Sequence, residues 1–377
     1  MKKSSQNNTL SALSLFSGAG GFDIGVKQAG FSVLAQIEID PNCCATLRAA
    51  KKREKSETVI LEADMTTLCP HVLQSDLNLV PGQLDLLFGG PPCQSFSLIG
   101  KQKGLNDSRG LLLFEIIRFA DVFRPKVLLL EQVKGLLSSK GQLGQRGEVF
   151  QEFLSKLEAI GYIPKWQVIT AADFGVPQLR ERLFVVATYG HNGFNFPQKT
   201  HAPAAQCNGL LSYKPHVGVR NFLEGLGTPD KKIRGKTVYE RQDSHVDVTP
   251  ERDIERIAQV PEGSYLSAQV HLSEDLLKGL SRKDTTKYLR LHRDRPSNTL
   301  RGGEIFYHPS ENRYLTPREY MRIHGYPDDY FLEGPIRSRT GTVRNLDQHR
   351  QVANSVPPPL ANVLAKYIVS YINEQNF

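Results

Sequence analysis

The chain has 377 residues, 40% hydrophobic and 23% charged, which is material for one large domain or two and contains no apolar run of membrane-spanning length. Its amino terminus, Met1 to Leu10, is polar and basic without an apolar signal core, and its five cysteines (Cys43, Cys44, Cys69, Cys93, Cys207) form neither a disulfide framework nor a paired C-x-x-C zinc spacing, so neither export nor a cysteine-bound metal is expected, and a reducing cytoplasm is. Lysine and arginine number 47 against 39 acids, a formal charge of +8 that suits an anionic partner.

In chain order, Leu13 to Phe16 reads as a strand, followed by a glycine turn and a helix near Phe22 to Ala29. Val33 to Ile37 is a second strand, and Pro41 to Ala50 a helix with proline in its first turn. Leu84 to Phe88 predicts a buried strand, Leu111 to Phe123 a helix, and Val127 to Leu130 another strand. Gly147 to Ile160 is helical, and Val168 and Leu183 to Ala187 mark two further strands. Strands alternating with helices predict an α/β fold, a doubly wound and mostly parallel sheet covered on both faces. After Tyr189 glycine, proline, asparagine and lysine become frequent and apolar periodicity fades, so 190–290 reads as a smaller, irregular unit. Near the end, Thr316-Pro317-Arg318-Glu319 reads as a capping box, and Pro358 to Ile372 as a closing apolar helix.

The positive excess is clustered late. From Leu276 to Arg301 eight basic residues face only Asp284 and Asp294, and between Asp230 and Arg241 five meet two acids. That distribution favours nucleic acid over a generic soluble surface.

Two loops carry chemistry. Phe16-Ser17-Gly18-Ala19-Gly20-Gly21 joins the first strand to the first helix, where glycines allow a tight turn and close ligand approach. Glu38 ends the second strand 20 positions after Gly18, where an acid can accept hydrogen bonds from ribose hydroxyls. A dinucleotide fingerprint wants glycine at position 23, and this chain has Asp23. A phosphate-free, cationic nucleoside cofactor such as S-adenosylmethionine fits the surrounding acids better, with Phe16 offering an aromatic face and Asp64 placed for an adenine amino group. The second loop, Gly89-Gly90-Pro91-Pro92-Cys93-Gln94-Ser95-Phe96-Ser97, follows a buried strand and so lies where sheets of this type bind ligands. A lone cysteine in a rigid, polar loop suits a reactive thiolate, whereas the other four read as structural.

These segments, with Lys103-Gly104-Leu105-Asn106-Asp107-Ser108-Arg109-Gly110, Glu131-Gln132-Val133, Gln178-Leu179-Arg180-Glu181-Arg182 and Asn354-Ser355-Val356 following in order, resemble the motif series of the cytosine-C5 DNA methyltransferases, of restriction-modification type. The resemblance implies a catalytic set of Cys93, Glu131, Arg180 and Arg182. Cys93 would attack carbon 6 of cytosine, Glu131 would contact N3, and the arginines would steady the base. It implies S-adenosyl-L-methionine held by Phe16, Ser17, Gly18, Ala19, Gly20, Gly21, Glu38, Ile39, Asp64, Met65, Pro91, Asn354 and Ser355.

Carbon 5 of cytosine is a poor nucleophile; a thiolate added at carbon 6 makes it enamine-like, and the base must first leave the duplex at a cost of roughly a few kcal/mol. Gln132, Ile39 and Ala353 depart from the family's usual asparagine, aromatic and glycine, and each touches positioning rather than the reacting groups.

The domains expected are 1–189 for catalysis and cofactor, 190–290 for target recognition, and 291–377 for the last motifs, its final helix returning to the first domain. Double-stranded DNA is the implied partner, with a restriction endonuclease acting on the same site and a monomeric state. RNA methylation with the same machinery, a catalytically silent DNA-binding protein, and an NAD-dependent oxidoreductase on the same fold are the rival readings. The recognised DNA sequence is not legible, because irregular loops carry it.

Overall fold

The computed structural model describes residues 9–92, 112–191, 193–207, 212–232, 241–269, 271–273, 276, 288–338 and 344–375. Cys93, the Lys103–Gly110 motif, most of the basic cluster at 230–241 and the first part of that at 276–301 lie outside the described residues.

The first half alternates β1 (Ser11–Leu15), α1 (Gly21–Gln28), β2 (Ser32–Glu38), α2 (Pro41–Glu54), β3 (Val59–Glu62), α3 (Pro70–Asp76), β4 (Leu86–Gly89), α4 (Leu112–Phe123), β5 (Val127–Gln132), α5 (Glu148–Ala159), β6 (Tyr162–Thr170), β7 (Gln178–Leu179) and β8 (Glu181–Tyr189). Seven strands form one sheet in the order β3-β2-β1-β4-β5-β8-β6. All neighbours run parallel except β8, which is antiparallel to both β5 and β6. The mostly parallel α/β sheet expected from the sequence is therefore present. Chain order reverses between β1 and β4, and the crevice outside their carboxyl ends is where open sheets of this kind bind ligands.

The strand sequences explain the burial. Ala12, Leu86, Phe88, Val127 and Leu129 point to one face, and Leu13, Leu15, Leu87, Leu128 and Leu130 to the other, so the central strands carry apolar side chains on both faces. The second face is covered by α3, α4 and α5; Leu113, Ile116, Phe119, Ala120 and Phe123 recur at helical spacing along α4. The first face is covered by α1 and the last helix. Strand β6 was marked in the sequence only at Val168. It is an edge strand whose Trp166 is 45% exposed, so its composition lacks a buried strand's apolar run.

Beyond β8 the short α6 (Arg220–Leu223), α7 (Glu251–Ala258), α8 (Pro317–His324), α9 (Gln348–Ala353) and α10 (Pro358–Gln375) are joined by irregular segments and two-residue strands. Helix α8 begins with the capping box, Thr316 accepting from the Glu319 N–H while Glu319 accepts from the Thr316 N–H. A core of Leu291, Leu300, Phe306, Leu315, Tyr320 and Met321, among others, extends to Ala19 and Ile24 behind the glycine turn. Helix α10 buries Leu360, Ala361, Leu364, Ala365 and Ile368 against the sheet and α1.

Helices α1 and α10 cross closely at Gly25, where an added Cβ would lie 2.4 Å from Pro358 O and 2.5 Å from Ala361 Cβ. Gly25→Ala is therefore expected to destabilise the protein by about 1–3 kcal/mol through overpacking, read as a lower thermal midpoint. An unchanged midpoint would show that α10 can shift without loss.

Candidate active site

The glycine turn is built from a left-handed residue on either side of Ser17. Phe16 adopts φ 54° and Gly18 φ 55°, and Gly20 at φ 78° caps α1. Ser17 N–H donates to Ile37 O at 3.0 Å, and its hydroxyl lies 2.8 Å from that of Ser14. These bonds pin the turn to the ends of β1 and β2. The glycines divide by role. A Cβ at Gly18 would meet nothing within 4 Å, so this position faces open space. At Gly20 a Cβ would lie 2.8 Å from Tyr330 Oη, and at Gly21 2.7 Å from both Tyr326 Oη and Val356 O. Gly20 and Gly21 also admit side chains and backbone from the later half of the chain behind the turn. Ala19 is wholly buried and its carbonyl accepts from Tyr330 Oη at 2.9 Å.

Glu38 closes the same site from β2. One carboxylate oxygen accepts from Gly18 N–H at 2.7 Å, and the other from Ile39 and Asp40 N–H at 2.8 Å each. Burial pushes its pKa above the ordinary range, against these bonds. A carboxylate offers about four lone-pair positions, so roughly one remains for an incoming hydroxyl. The Gly18 N–H, the donor a phosphate would want, is already committed to an anion. Ile39 is 37% exposed at the rim.

Asp64 follows β3, and the adjoining Ala63 N–H donates to Glu38 O at 2.9 Å, so both acids share one edge of the crevice. One Asp64 oxygen accepts from the Thr66 N–H and hydroxyl at 2.9 and 2.7 Å, which lower its pKa. Met65 is buried, and its carbonyl takes a 2.6 Å bond from Arg118, which also reaches Leu68 O at 2.9 Å. Arg118 thus braces this loop from α4. Nothing in the sequence distinguished it from a surface arginine.

Across the switch point, Glu131 is the last residue but one of β5. Its Oε1 is buried and has no aligned hydrogen-bond donor among the described residues, although Arg182 Nε lies 2.9 Å away and Arg180 Nη2 3.9 Å. The Arg182 contact is thus a charge contact and not an aligned hydrogen bond. A Cβ on Gly90 would come within 3.2 Å of Glu131 Oε2, so the root of the cysteine loop runs directly beside this carboxylate.

The next residue, Gln132, is buried and donates from Nε2 to Pro91 O at 2.7 Å, while its amide oxygen accepts from Val133 N–H at 3.1 Å. The departure noted in the sequence is here a tether, holding buried Pro91 two residues before Cys93.

The two arginines part company. Arg182 is partly exposed and donates to Glu181 O at 2.7 Å. Arg180 is 2% exposed and gives 3.0 Å bonds to Ala353 O and Ser355 O. Burial and the neighbouring Arg182 pull its pKa down to about 9, so it stays charged at neutral pH. Arg180 therefore joins the acid to the Asn354–Ser355 turn. Ser355 is buried, Asn354 exposed, and a Cβ on Gly21 would lie 3.0 Å from Ser355 Cβ. In this way the structure gathers Phe16, Ser17, Gly18, Glu38, Ile39, Asp64 and Ser355 on one side of the crevice, and Pro91, Glu131, Arg180 and Arg182 on the other.

Sheet order, glycine turn and strand-end acids define a Rossmann-like α/β protein with its site at the switch point and a partly buried carboxylate beside two arginines. The family model for C-5 cytosine-specific DNA methylase matches residues 10–370. The chain is 30% identical over 364 residues to the Type II methyltransferase M1.HphI of Haemophilus parahaemolyticus, covering 96% of this chain and 87% of that protein. It is 31% identical over 382 residues to M.Eco47II of Escherichia coli, with 98% and 81% covered. A crystal structure of an E. coli prophage protein, described as a DNA modification methyltransferase, superposes with a TM-score of 0.71 at 21% identity, covering 97% of this chain and 99% of that one. The chain belongs to the C-5 cytosine-specific DNA methylase family and is a DNA cytosine methyltransferase. No helix among the described residues is long and apolar enough to cross a membrane.

Removing the Gln132 tether should misplace the loop root at Pro91 while leaving the glycine turn, Glu38 and Asp64 of the cofactor side in place. Gln132→Ala is expected to lower kcat about ten- to a hundredfold while leaving KM for the methyl donor unchanged. A steady-state comparison checks this, and equal losses in both parameters would contradict it.

Proposed function

We propose that the enzyme transfers a methyl group from S-adenosylmethionine to carbon 5 of a cytosine flipped out of a specific duplex DNA sequence, through a covalent bond from Cys93 to carbon 6. The observation that carries this reading is Glu131: a buried carboxylate oxygen without an aligned donor, flanked by Arg180 and Arg182 and adjoining the root of the cysteine loop. A base whose N3 must be protonated as the thiolate adds would satisfy that oxygen.

The opposite side of the crevice fits S-adenosylmethionine. Gly18 leaves room, Glu38 retains an acceptor position for ribose, Asp64 and Ile39 lie where adenine would pass, and no phosphate is needed. When bound, this cofactor supplies an electrophilic methyl group. Ser17, Ala19, Gly20, Gly21 and Met65 shape its walls, and Asn354 and Ser355 close the lip.

The chain's own residues perform the rest. The Cys93 thiolate adds to carbon 6 while Glu131 meets N3 and the arginines hold the base. The electron pair gathered at carbon 5 would take the methyl, the sulfur–methyl bond breaking so that its electron pair stays on a neutral thioether. Loss of the carbon 5 proton then returns the electron pair to the ring, and the carbon–sulfur bond breaks to free the thiolate. Residues 190–290 would read the DNA, with the basic clusters gripping phosphate. The names of the relatives favour a restriction partner cutting the same sequence.

The test uses tritiated S-adenosylmethionine with duplex DNA, and a second duplex carrying 5-fluorocytosine. Fluorine cannot leave as the proton does, so the adduct should persist through denaturing electrophoresis and require the cofactor. Label in 5-methylcytosine together with that adduct is the expected result. Label entering RNA in preference to DNA would replace the substrate, and cofactor binding with no transfer would overturn the catalytic reading.

A further inference from the structure

Two buried polar side chains beside the site, Gln178 and His324, have no part in the reaction as proposed. His324 ends α8 and is fully enclosed. Its tautomer follows from its neighbours. Leu300 N–H donates to Gln178 Oε1 at 3.1 Å, which places the amide oxygen there and turns Nε2 toward the imidazole. Gln178 Nε2 lies 2.9 Å from His324 Nδ1, so Nδ1 accepts. The ring proton then sits on Nε2, which donates to Ser355 O at 3.0 Å. Burial, with Arg180 close by, holds the ring neutral, its pKa well below the ordinary range.

Ser355 O thus receives two donors, His324 Nε2 and Arg180 Nη2, each at 3.0 Å, and a carbonyl has two lone pairs to offer. Losing one donor frees the carbonyl to move and removes the geometry that fixes the other. Arg180 lies beside Glu131, and Ser355 packs against the glycine turn at Gly21. One carbonyl is therefore shared between the base side and the cofactor side of the crevice.

We propose that His324 is a positioning residue for methyl transfer: by holding Ser355 O it sets Arg180 against Glu131 and seats the Asn354–Ser355 turn at the cofactor. This rests on the reading that Glu131 meets the base and that the turn closes the cofactor site. A second buried histidine shows what a purely structural one looks like. His349, also fully enclosed, meets Ile336 O and Leu315 O through its two nitrogens, at 3.2 and 3.0 Å, and among the described residues has no hydrogen bond with Arg180, Arg182 or the Asn354–Ser355 turn.

The experiment compares H324F, R180K, the double variant and H349F in the full chain, reading kcat, KM and equilibrium affinity for S-adenosylmethionine, and the thermal midpoint. H324F is expected to weaken cofactor affinity and lower kcat, each about tenfold, the scale of one buried hydrogen bond. The double variant is expected to be no worse than the poorer single variant, because both changes act through the same carbonyl. H349F is expected to lower the midpoint without a selective kinetic change. Multiplying effects in the double variant, or an H324F protein that loses only thermal stability, would overturn the proposal. H324Q, which keeps a donor, should recover part of the affinity; a variant worse than H324F would count against it. Equilibrium affinity is measured without turnover, so a wild type that makes no 5-methylcytosine would overturn the reaction while the strut is still judged by affinity.

Discussion

Cys93→Ala is expected to yield no 5-methylcytosine above background and no covalent adduct with 5-fluorocytosine DNA, while cofactor and duplex binding persist. The argument comes from the difficulty of the reaction. Without a nucleophile at carbon 6, carbon 5 remains part of an aromatic ring, and neither an ordered cofactor nor a held base makes it electron-rich enough. Glu131 and the arginines stabilise charge that develops only after the thiolate has added, so they have little to stabilise in the alanine protein. The tether from Gln132 to Pro91 and the approach of Gly90 to Glu131 persist in that variant, which is why binding should survive. Residual methylation within about tenfold of wild type would remove Cys93 from the mechanism. Tritium transfer, gel-shift and cofactor titration on one preparation distinguish these outcomes.

The central strands were legible because their neighbours bury both faces; β4 and the first four residues of β5 form unbroken apolar runs, and β1 carries Ala12, Leu13 and Leu15. Helix α8 was legible for a different reason, since its capping box is a local exchange of two hydrogen bonds written in four consecutive residues. Strand β6 carries Pro164, Lys165 and Gln167 on an edge, and α3 is only seven residues long, so neither produces a periodic signal. The reversed direction of β8 is a property of the path between elements and leaves no mark in its own residues.

In the site, positions along the motifs were readable and partners were not. Arg180 and Arg182 looked alike in sequence, yet Arg180 falls between β7 and β8 and turns inward to carbonyls 173 and 175 positions away. Gly20 and Gly21 read as part of a glycine-rich ligand loop, and the structure adds that they and Gly25 admit side chains or backbone from the last fifty-odd residues. Such pairings arise from tertiary packing. His324 gave no signal at all, because a single histidine closing a helix matches many satisfied core histidines.

Glu131→Gln should lower kcat by about 10²- to 10⁴-fold, the range of a lost general acid–base group, with cofactor affinity changed far less. Glutamine preserves shape and can donate to N3, but it cannot hand over a proton and carries no charge. The missing charge has a second consequence. Arg180 is 2% exposed and Arg182 partly buried, and Glu131 is the carboxylate between them. Without it two cations remain close together in a poorly solvated place, so a lower thermal midpoint should accompany the kinetic loss. The two effects separate by temperature. Measured well below the midpoint, where the variant is folded by circular dichroism, the fall in kcat should remain. If activity instead recovers on cooling, Glu131 serves the fold through its arginines and N3 protonation must come from another group. If kcat falls while the 5-fluorocytosine adduct still accumulates slowly to completion, the carboxylate speeds addition at carbon 6 without being required for it.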